Sequence, residues 1–246
     1  MSLIRNVLLK TLSHHTLALL RWDIHFIGVR VVNSLLLKKY QLQKKLRKLD
    51  HPVYLNLGSG PRGLTSADWI NVDGYKDTNV MYCMDFNSRF PFEDNYFDGV
   101  FCEHVLEHFS VENGQQLLSE CFRVLRPGGC LRIIVPDGEK IMKAYFDTPS
   151  ELLERRSVNS SCAMEAVNSY FRQRYEHQIA YDEELLKYQF LLAGFSQIFR
   201  ASFGNGKVSS AVIIDDKKYE WESLYMEAIK PVHEKSQPEK VLASDI

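Results

Sequence analysis

The sequence predicts an α/β protein with a mostly parallel sheet and helices before and after it. Three observations carry that expectation. From Pro52 onward, short apolar runs alternate with helical stretches, the pattern of a parallel sheet covered on both faces. The first run ends in "GSGPRG" (58–63), a glycine turn at a strand end. Each of the first five candidate strands also ends in glycine or a polar residue, and ligands bind at strand carboxyl ends in open α/β sheets.

Residues 1–48 read as helix. Leu20, Ile24, Ile27, Val31, Leu35, Leu42 and Leu46 recur at helical spacing, with Arg30, Lys38, Lys39, Lys44, Lys45, Arg47 and Lys48 mostly off that stripe. Gly28 and the Asp50-His51-Pro52 stop predict two helical pieces and then a break. Residues 1–50 hold ten Lys/Arg and two Asp, a balance of +8. The remainder holds twenty basic and twenty-nine acidic residues, −9, which gives the whole chain its net charge of −1. Such a segment reads either as a helical cap on the domain or as a basic amphipathic element on an anionic membrane surface. There each Lys or Arg contributes roughly 1 kcal/mol. Apolar bulk on nearly every face between Leu17 and Leu37 favours the cap. No run of eighteen apolar residues is present, so no spanning helix is expected. Nor does the N-terminus show a clear signal-peptide cleavage site. The expected location is the cytoplasm, with peripheral contact through residues 1–48 at the inner face of the membrane as the second reading.

The candidate strands are "VYLNLG" (53–58), "DWINVD" (68–73), "VMYCMD" (80–85), "FDGVFCEH" (97–104) and "CLRIIVPD" (130–137). Ser110 and Asn113 offer a helix start before Leu117, Leu118, Cys121, Phe122 and Leu125, and Pro127-Gly128-Gly129 is the expected stop. Residues 138–192 are mostly helical and charged, broken at "SVNSSC", and form an insertion expected to act as a lid. After Gly194, "FSQIFRASF" reads as a strand. The closing strand is either "SSAVIID" or "SLYMEAIK", and the latter alternates better. Residues 231–246 have the composition of a disordered tail. The expected organisation is thus an extension (1–50), a domain (51–230) and a tail.

Five cysteines occur, none in a C-x-x-C. Cys83, Cys102 and Cys130 lie within strand-like runs. This argues for reduced buried thiols, against a disulfide framework and against a zinc site, so no metal is expected.

The strand ends supply Gly58-Ser59-Gly60, Asp73, Asp85, Glu103-His104 and Asp137. Gly58 and Gly60 permit a tight turn and a close backbone approach. A carboxylate at Asp73 suits a ribose diol, and one at Asp85 suits an exocyclic amine. In a dinucleotide fingerprint the acid follows the glycines by about 20 residues. Here Asp73 comes 15 after Gly58, which leaves only a short helix between. Pro61 also removes an N–H that a pyrophosphate would use. The expected ligand is a nucleoside without a phosphate chain.

The motifs "LNLGSGP" (55–61), "WINVD" (69–73), "FPFEDNYFDGVFCEHVLEH" (90–108) and "RVLRPGGCLRIIVPD" (123–137), in this order, resemble the class I S-adenosylmethionine-dependent methyltransferases of the type 11 branch. The resemblance covers roughly residues 52–230. It implies a Rossmann-like seven-stranded methyltransferase sheet, mostly parallel with one antiparallel strand, and S-adenosyl-L-methionine as cofactor. It implies that the Gly58-Ser59-Gly60 turn cradles the methionine portion and Asp73 holds the ribose. Asp85 and Phe86 would flank the adenine, and Glu103-His104 would lie beside the sulfonium. The family usually has an acid two residues before the first glycine, where this chain has Asn56, so that contact is expected to be weaker or water-mediated. The short first helix resembles a sub-branch associated with cell-surface sugar biosynthesis.

Methyl transfer to a hydroxyl requires positioning and proton removal, and histidine is the natural base near neutral pH. His104, His108 and His177 are the candidates, with His104 first because it ends a strand. His177 lies in the helical insertion, which reads either as a lid that brings it, Arg172, Arg174 and Tyr175 to the substrate or as a solvated helix face with two aromatics buried beneath. Glu107 reads as a surface helix residue. The expected activity is O-methylation of a small-molecule or sugar or glycan hydroxyl. The alternatives are N- or C-methylation of a small metabolite, or a protein that binds the cofactor without catalysis. The acidic domain shows no basic, aromatic-interleaved groove, so no nucleic acid partner is expected. The sequence sets no oligomeric state.

Overall fold

The computed structural model describes residues 13–155, 160–173 and 176–232. Among the described residues two helices come first, α1 (His14–Leu35) and α2 (Lys38–Leu46). The strands are β1 (Tyr54–Leu57), β2 (Trp69–Asp73), β3 (Tyr82–Cys83), β4 (Phe97–Glu103), β5 (Leu125–Pro136), β6 (Gln197–Ala201) and β7 (Ser223–Ile229). Between and after them come α3 (Val111–Val124), α4 (Gly138–Asp147), α5 (Pro149–Arg155), α6 (Ala163–Arg172) and α7 (Glu183–Ala193). The seven strands form one sheet in the order β3-β2-β1-β4-β5-β7-β6. The first five pair parallel, and β7 runs antiparallel to both β5 and β6. "SLYMEAI" is therefore the closing strand, and Ser210–Val212 is a short 3-10 turn.

Every residue of β1 is buried, as expected for a central parallel strand covered on both faces. Leu55, Leu57, Ile70, Val72, Val100, Leu117, Leu131 and Ile133 are fully buried in the main core. Ser110 caps α3 by accepting from the Asn113 N–H at 3.3 Å. That helix ends at Val124, three residues before the expected Pro127 stop, because Leu125 already pairs with Phe97 in the sheet. At the β5–β7 seam, fully buried Arg132 pairs with Asp215, Nε to Oδ1 at 2.7 Å, and with its register partner Glu227.

Within the 138–192 stretch, α4, α5 and α6 pack on one another through Ile141, Leu152, Ala166 and Tyr170. Helix α7 instead joins the layer covering the sheet beside α3, where Gln115 Nε2 donates to the Gln189 carbonyl at 3.2 Å. Leu186 and Phe190 of α7 belong to the main core.

The N-terminal break falls at Leu37, which adopts the left-handed region (φ 47°), and not at Gly28, which is interior to α1. Helix α1 crosses the carboxyl ends of β2 and β3. His25 Nε2 lies 2.8 Å from the Gly74 carbonyl, and Asn33 Nδ2 donates to the Cys83 carbonyl at 2.8 Å. Phe26 packs against Gly74, where a Cβ would come within 3.1 Å of the ring. This is the capping arrangement. Ile24, Ile27, Val31 and Leu35 on the other side of the helix are exposed. No described helix is long and apolar enough to cross a membrane. The first twelve residues of the extension and positions 233–246 of the expected tail lie outside the described residues.

Candidate active site

The glycine turn forms because Gly58 (φ 69°) and Gly60 (φ 50°) take backbone angles that disfavour a side chain. Gly58 also faces Val105, whose Cγ2 would stand 2.1 Å from a Cβ there. The turn is tied to β2 by Gly58 N and Ser59 N, which both donate to the Val72 carbonyl, at 2.9 and 3.1 Å. Between β1 and β2 lies only a 3-10 turn, Gly60–Arg62, in line with the short spacing to Asp73.

Asp73 closes on this turn. Its Oδ2 accepts from Gly60 N at 2.9 Å and its Oδ1 from Tyr75 N at 2.8 Å. The buried Asn56 amide donates to Asn71 Oδ1 at 3.2 Å, and Asn71 in turn holds Leu64 by both its N–H and its carbonyl. Asn56 is thus engaged in anchoring the loop after the turn. Asp85 is buried under Arg30 of α1, 3.2 Å away, and accepts from Asn87 N and Ser88 Oγ at 3.0 and 3.2 Å. Phe86 is buried against Phe90 and Phe109.

Glu103 is buried at the end of β4. It accepts from Asp216 N at 2.9 Å and pairs with Arg62 at 3.1 Å. Burial pushes its carboxyl pKa up further than these partners pull it down. Asp137 is accounted for differently. It is the N-cap of α4, accepting from Lys140 N at 3.0 Å, and it pairs with Arg200.

The three candidate histidines come together around a residue that the sequence assigned to the surface. Glu107 is 1% exposed. His104 Nδ1 lies 3.1 Å from Glu107 Oε1 and His177 Nε2 lies 3.9 Å from the same atom. The His108 and His177 rings meet edge to face at 4.8 Å between centroids. His104 is itself in the left-handed region (φ 52°), packs against the tilted Tyr219 ring at 4.1 Å between centroids and shares a 2.9 Å hydrogen bond between Nε2 and Ser223 Oγ. Burial works against a charged His104, but Glu107 outweighs it and raises the pKa above the usual imidazole value. Burial likewise opposes the Glu107 carboxylate, yet the histidines hold its pKa below the ordinary range. At His177 burial prevails, and its pKa is lowered. The signal for Glu107 was present in the sequence. In "HVLEH" the spacing i, i+3, i+4 puts His104, Glu107 and His108 on one side of a helical turn. What placed His177 against them was tertiary. Arg174 and Tyr175 lie outside the described residues.

The residues present fit a nucleoside cofactor. Ser59 Oγ is buried with no protein partner, and nothing lies within 4 Å of a Cβ position at Gly60, so the turn keeps an open backbone above β1.

Residues 66–133 match the sequence model of a family described as a methyltransferase domain. No curated protein matches the chain. Solved structures of similar fold include a SAM-dependent methyltransferase from Archaeoglobus fulgidus, 18% identical, covering 79% of this chain and 93% of that one, with a TM-score of 0.45. A SAM-dependent methyltransferase from Thermotoga maritima is 16% identical over 85% of this chain and 99% of that one, TM-score 0.45. Phosphoethanolamine N-methyltransferase 2 of Haemonchus contortus, solved with S-adenosyl-L-methionine, is 16% identical over 79% and 52%, TM-score 0.44. The matched segment carries β2, β3 and β4 of the parallel sheet and the strand-end carboxylate of Asp73, and the glycine turn bonded to that carboxylate stands just before it.

Proposed function

We propose that the protein transfers a methyl group to a hydroxyl of a small molecule, sugar or glycan. The observation that carries the reading is His104. A non-glycine residue held at φ 52° costs backbone energy, and strain of this kind gathers at functional sites. It stands at the end of β4 with a carboxylate on one ring nitrogen and a hydroxyl on the other.

The Gly58-Ser59-Gly60 turn would hold the methionine portion of the cofactor and Asp73 its ribose. When bound, S-adenosyl-L-methionine supplies a methyl carbon already activated by its sulfonium. The protein's own work is positioning and proton removal. Glu107 keeps the His104 ring oriented and favours its protonated form. His104 Nε2 would exchange the Ser223 hydroxyl for the acceptor hydroxyl and take its proton as the methyl group arrives. Nitrogen or carbon acceptors need no such base.

The experiment is incubation of the purified protein with methyl-labelled cofactor and extracts of its own cell envelope. Label in lipid-linked or polymeric sugar supports the glycan reading. His104→Ala should lower turnover about 10²- to 10⁴-fold, the usual worth of general-base catalysis, with cofactor affinity kept. Full turnover in that variant would favour an N- or C-acceptor. Tight cofactor binding with no turnover on any acceptor would favour a non-catalytic protein.

A further inference from the structure

We propose that Glu107, His108 and His177 form a binding site for one divalent first-row transition-metal ion. One ligand atom from each of the three lies within 4.8 Å of the others. Donors around a single ion at metal–ligand lengths of about 2.0–2.2 Å stand roughly 3–4 Å apart, so side-chain rotation of about an ångström closes the set.

The donors are already prepared for an ion. Glu107 is almost wholly buried, and neither of its carboxylate oxygens has a hydrogen-bond partner. His104 Nδ1 forms an ion pair with Oε1 at 3.1 Å, on one side of the carboxylate only. Buried carboxylates are ordinarily hydrogen-bonded, paired or on a metal, and this one is paired with His104 but has no hydrogen bond to either oxygen. Both histidines have their tautomer set by a backbone carbonyl, which can only accept. His177 Nδ1 lies 2.7 Å from the Tyr170 carbonyl, and His108 Nδ1 lies 3.1 Å from the Glu176 carbonyl. Each ring therefore carries a proton on Nδ1, which leaves Nε2 as the nitrogen available to a metal. In metal sites the ligating histidine donates its second N–H to an outer acceptor in just this way.

Backbone hydrogen bonds hold the two contributing segments together. Gln178 N and Ile179 N donate to the Glu107 carbonyl at 2.8 and 3.4 Å, and Gln178 Nε2 donates to the His108 carbonyl at 2.8 Å. The ligand geometry thus does not depend on the side chains alone. Two imidazoles and a carboxylate are borderline donors that suit zinc, iron(II), cobalt(II) or manganese(II) over calcium or magnesium. The cysteines take no part.

Three protein ligands leave coordination positions open, as in catalytic sites. Half-buried His108 gives the ion access from solvent. An acceptor hydroxyl in an open position would be more acidic and fixed in place beside His104. This use of the ion rests on the proposed O-methylation, whereas the binding of the ion does not.

The test is metal stoichiometry on the full chain after chelator dialysis, read by equilibrium dialysis with zinc and manganese and by the visible absorption of cobalt(II). One ion per chain is expected. Loss of a single outer-shell partner weakens a metal site about 10–100-fold, and Glu107→Gln and His177→Gln should weaken this one by at least that much. Cys162→Ser removes an exposed thiol and should leave binding intact. Circular dichroism and calorimetric cofactor binding on the same samples show that each variant is folded. No stoichiometric ion in the folded wild type, or unchanged binding in both glutamine variants, overturns the site. An ion that binds as described without any methyl transfer leaves the site standing and removes the O-methylation reading. Methyl transfer by a protein that binds no ion does the reverse.

Discussion

The Asp73 carboxylate accepts a hydrogen bond from Gly60 N–H at 2.9 Å, joining the end of β2 to the turn that follows β1. The two lie thirteen residues apart in the chain, and parallel pairing of β1 with β2 brings them side by side. The same carboxylate has lone pairs left for a ligand. Replacing Asp73 with Ala should cost about 1.5–3 kcal/mol of cofactor affinity, the usual value for hydrogen bonds to a charged group, or roughly a 10- to 150-fold rise in Kd. Calorimetry on the purified variant reads this directly, and an unchanged Kd would remove Asp73 from the cofactor site.

Gly58 and Val105 are in conflict over one methyl group. A Cβ at position 58 would meet Val105 Cγ2 at 2.1 Å, and φ there is 69°. Gly58→Ala should destabilise the protein by about 1–3 kcal/mol through overpacking, with the left-handed backbone adding about 1–2 kcal/mol. Val105→Ala in the same chain should recover the packing part and leave the backbone part. Urea unfolding of the two single variants and the double variant measures the coupling. Strict additivity would mean that the turn yields without touching Val105.

Asp98 should contribute to acid sensitivity. Burial disfavours its charged form, but the Val53 N–H, His51 and Arg126 outweigh that and hold its pKa below the usual aspartate range. A carboxyl depressed in the folded state stabilises above its unfolded pKa, and that contribution fades as pH falls through the folded value. Below about pH 4 the wild type should therefore lose stability more steeply than Asp98→Asn. Thermal unfolding between about pH 6 and about pH 3 compares the slopes, and parallel curves would contradict the assignment.

The exposed row on α1 offers a surface for the membrane reading of the N-terminus. Ile24, Ile27, Val31 and Leu35 stand outside the fold while Phe26, Asn33 and Arg30 hold the helix to the domain. If the basic, apolar extension binds anionic lipid, the protein should float with vesicles rich in acidic phospholipid, less so as salt rises. Ile27→Glu with Val31→Glu should abolish flotation without altering cofactor affinity. Absence of the wild-type protein from the vesicle layer would end this reading and leave α1 as a cap alone.

Most of the sheet was legible in the chain because a parallel strand must be apolar on both faces and end where the pattern breaks. β1, β2 and β4 follow those runs to within a residue or two, and the glycine turn announced itself by residue type. The α1–α2 break was not legible. Leu37 adopts a left-handed angle with no glycine to mark it, while Gly28 sits within the helix undisturbed. Asp137 reads in sequence like the other strand-end acids, yet its carboxylate caps α4.

The sequence alone determined the order of apolar strands, the flexible turn after the first and the acid that follows it, because these depend on local pattern and residue chemistry. It did not determine the environment of Glu107. That came from packing the segment carrying His177 against the turn after β4, which buried a carboxylate among three imidazoles drawn from two distant stretches of chain. Proximity across such a distance depends on how the elements pack, and no local spacing encodes it.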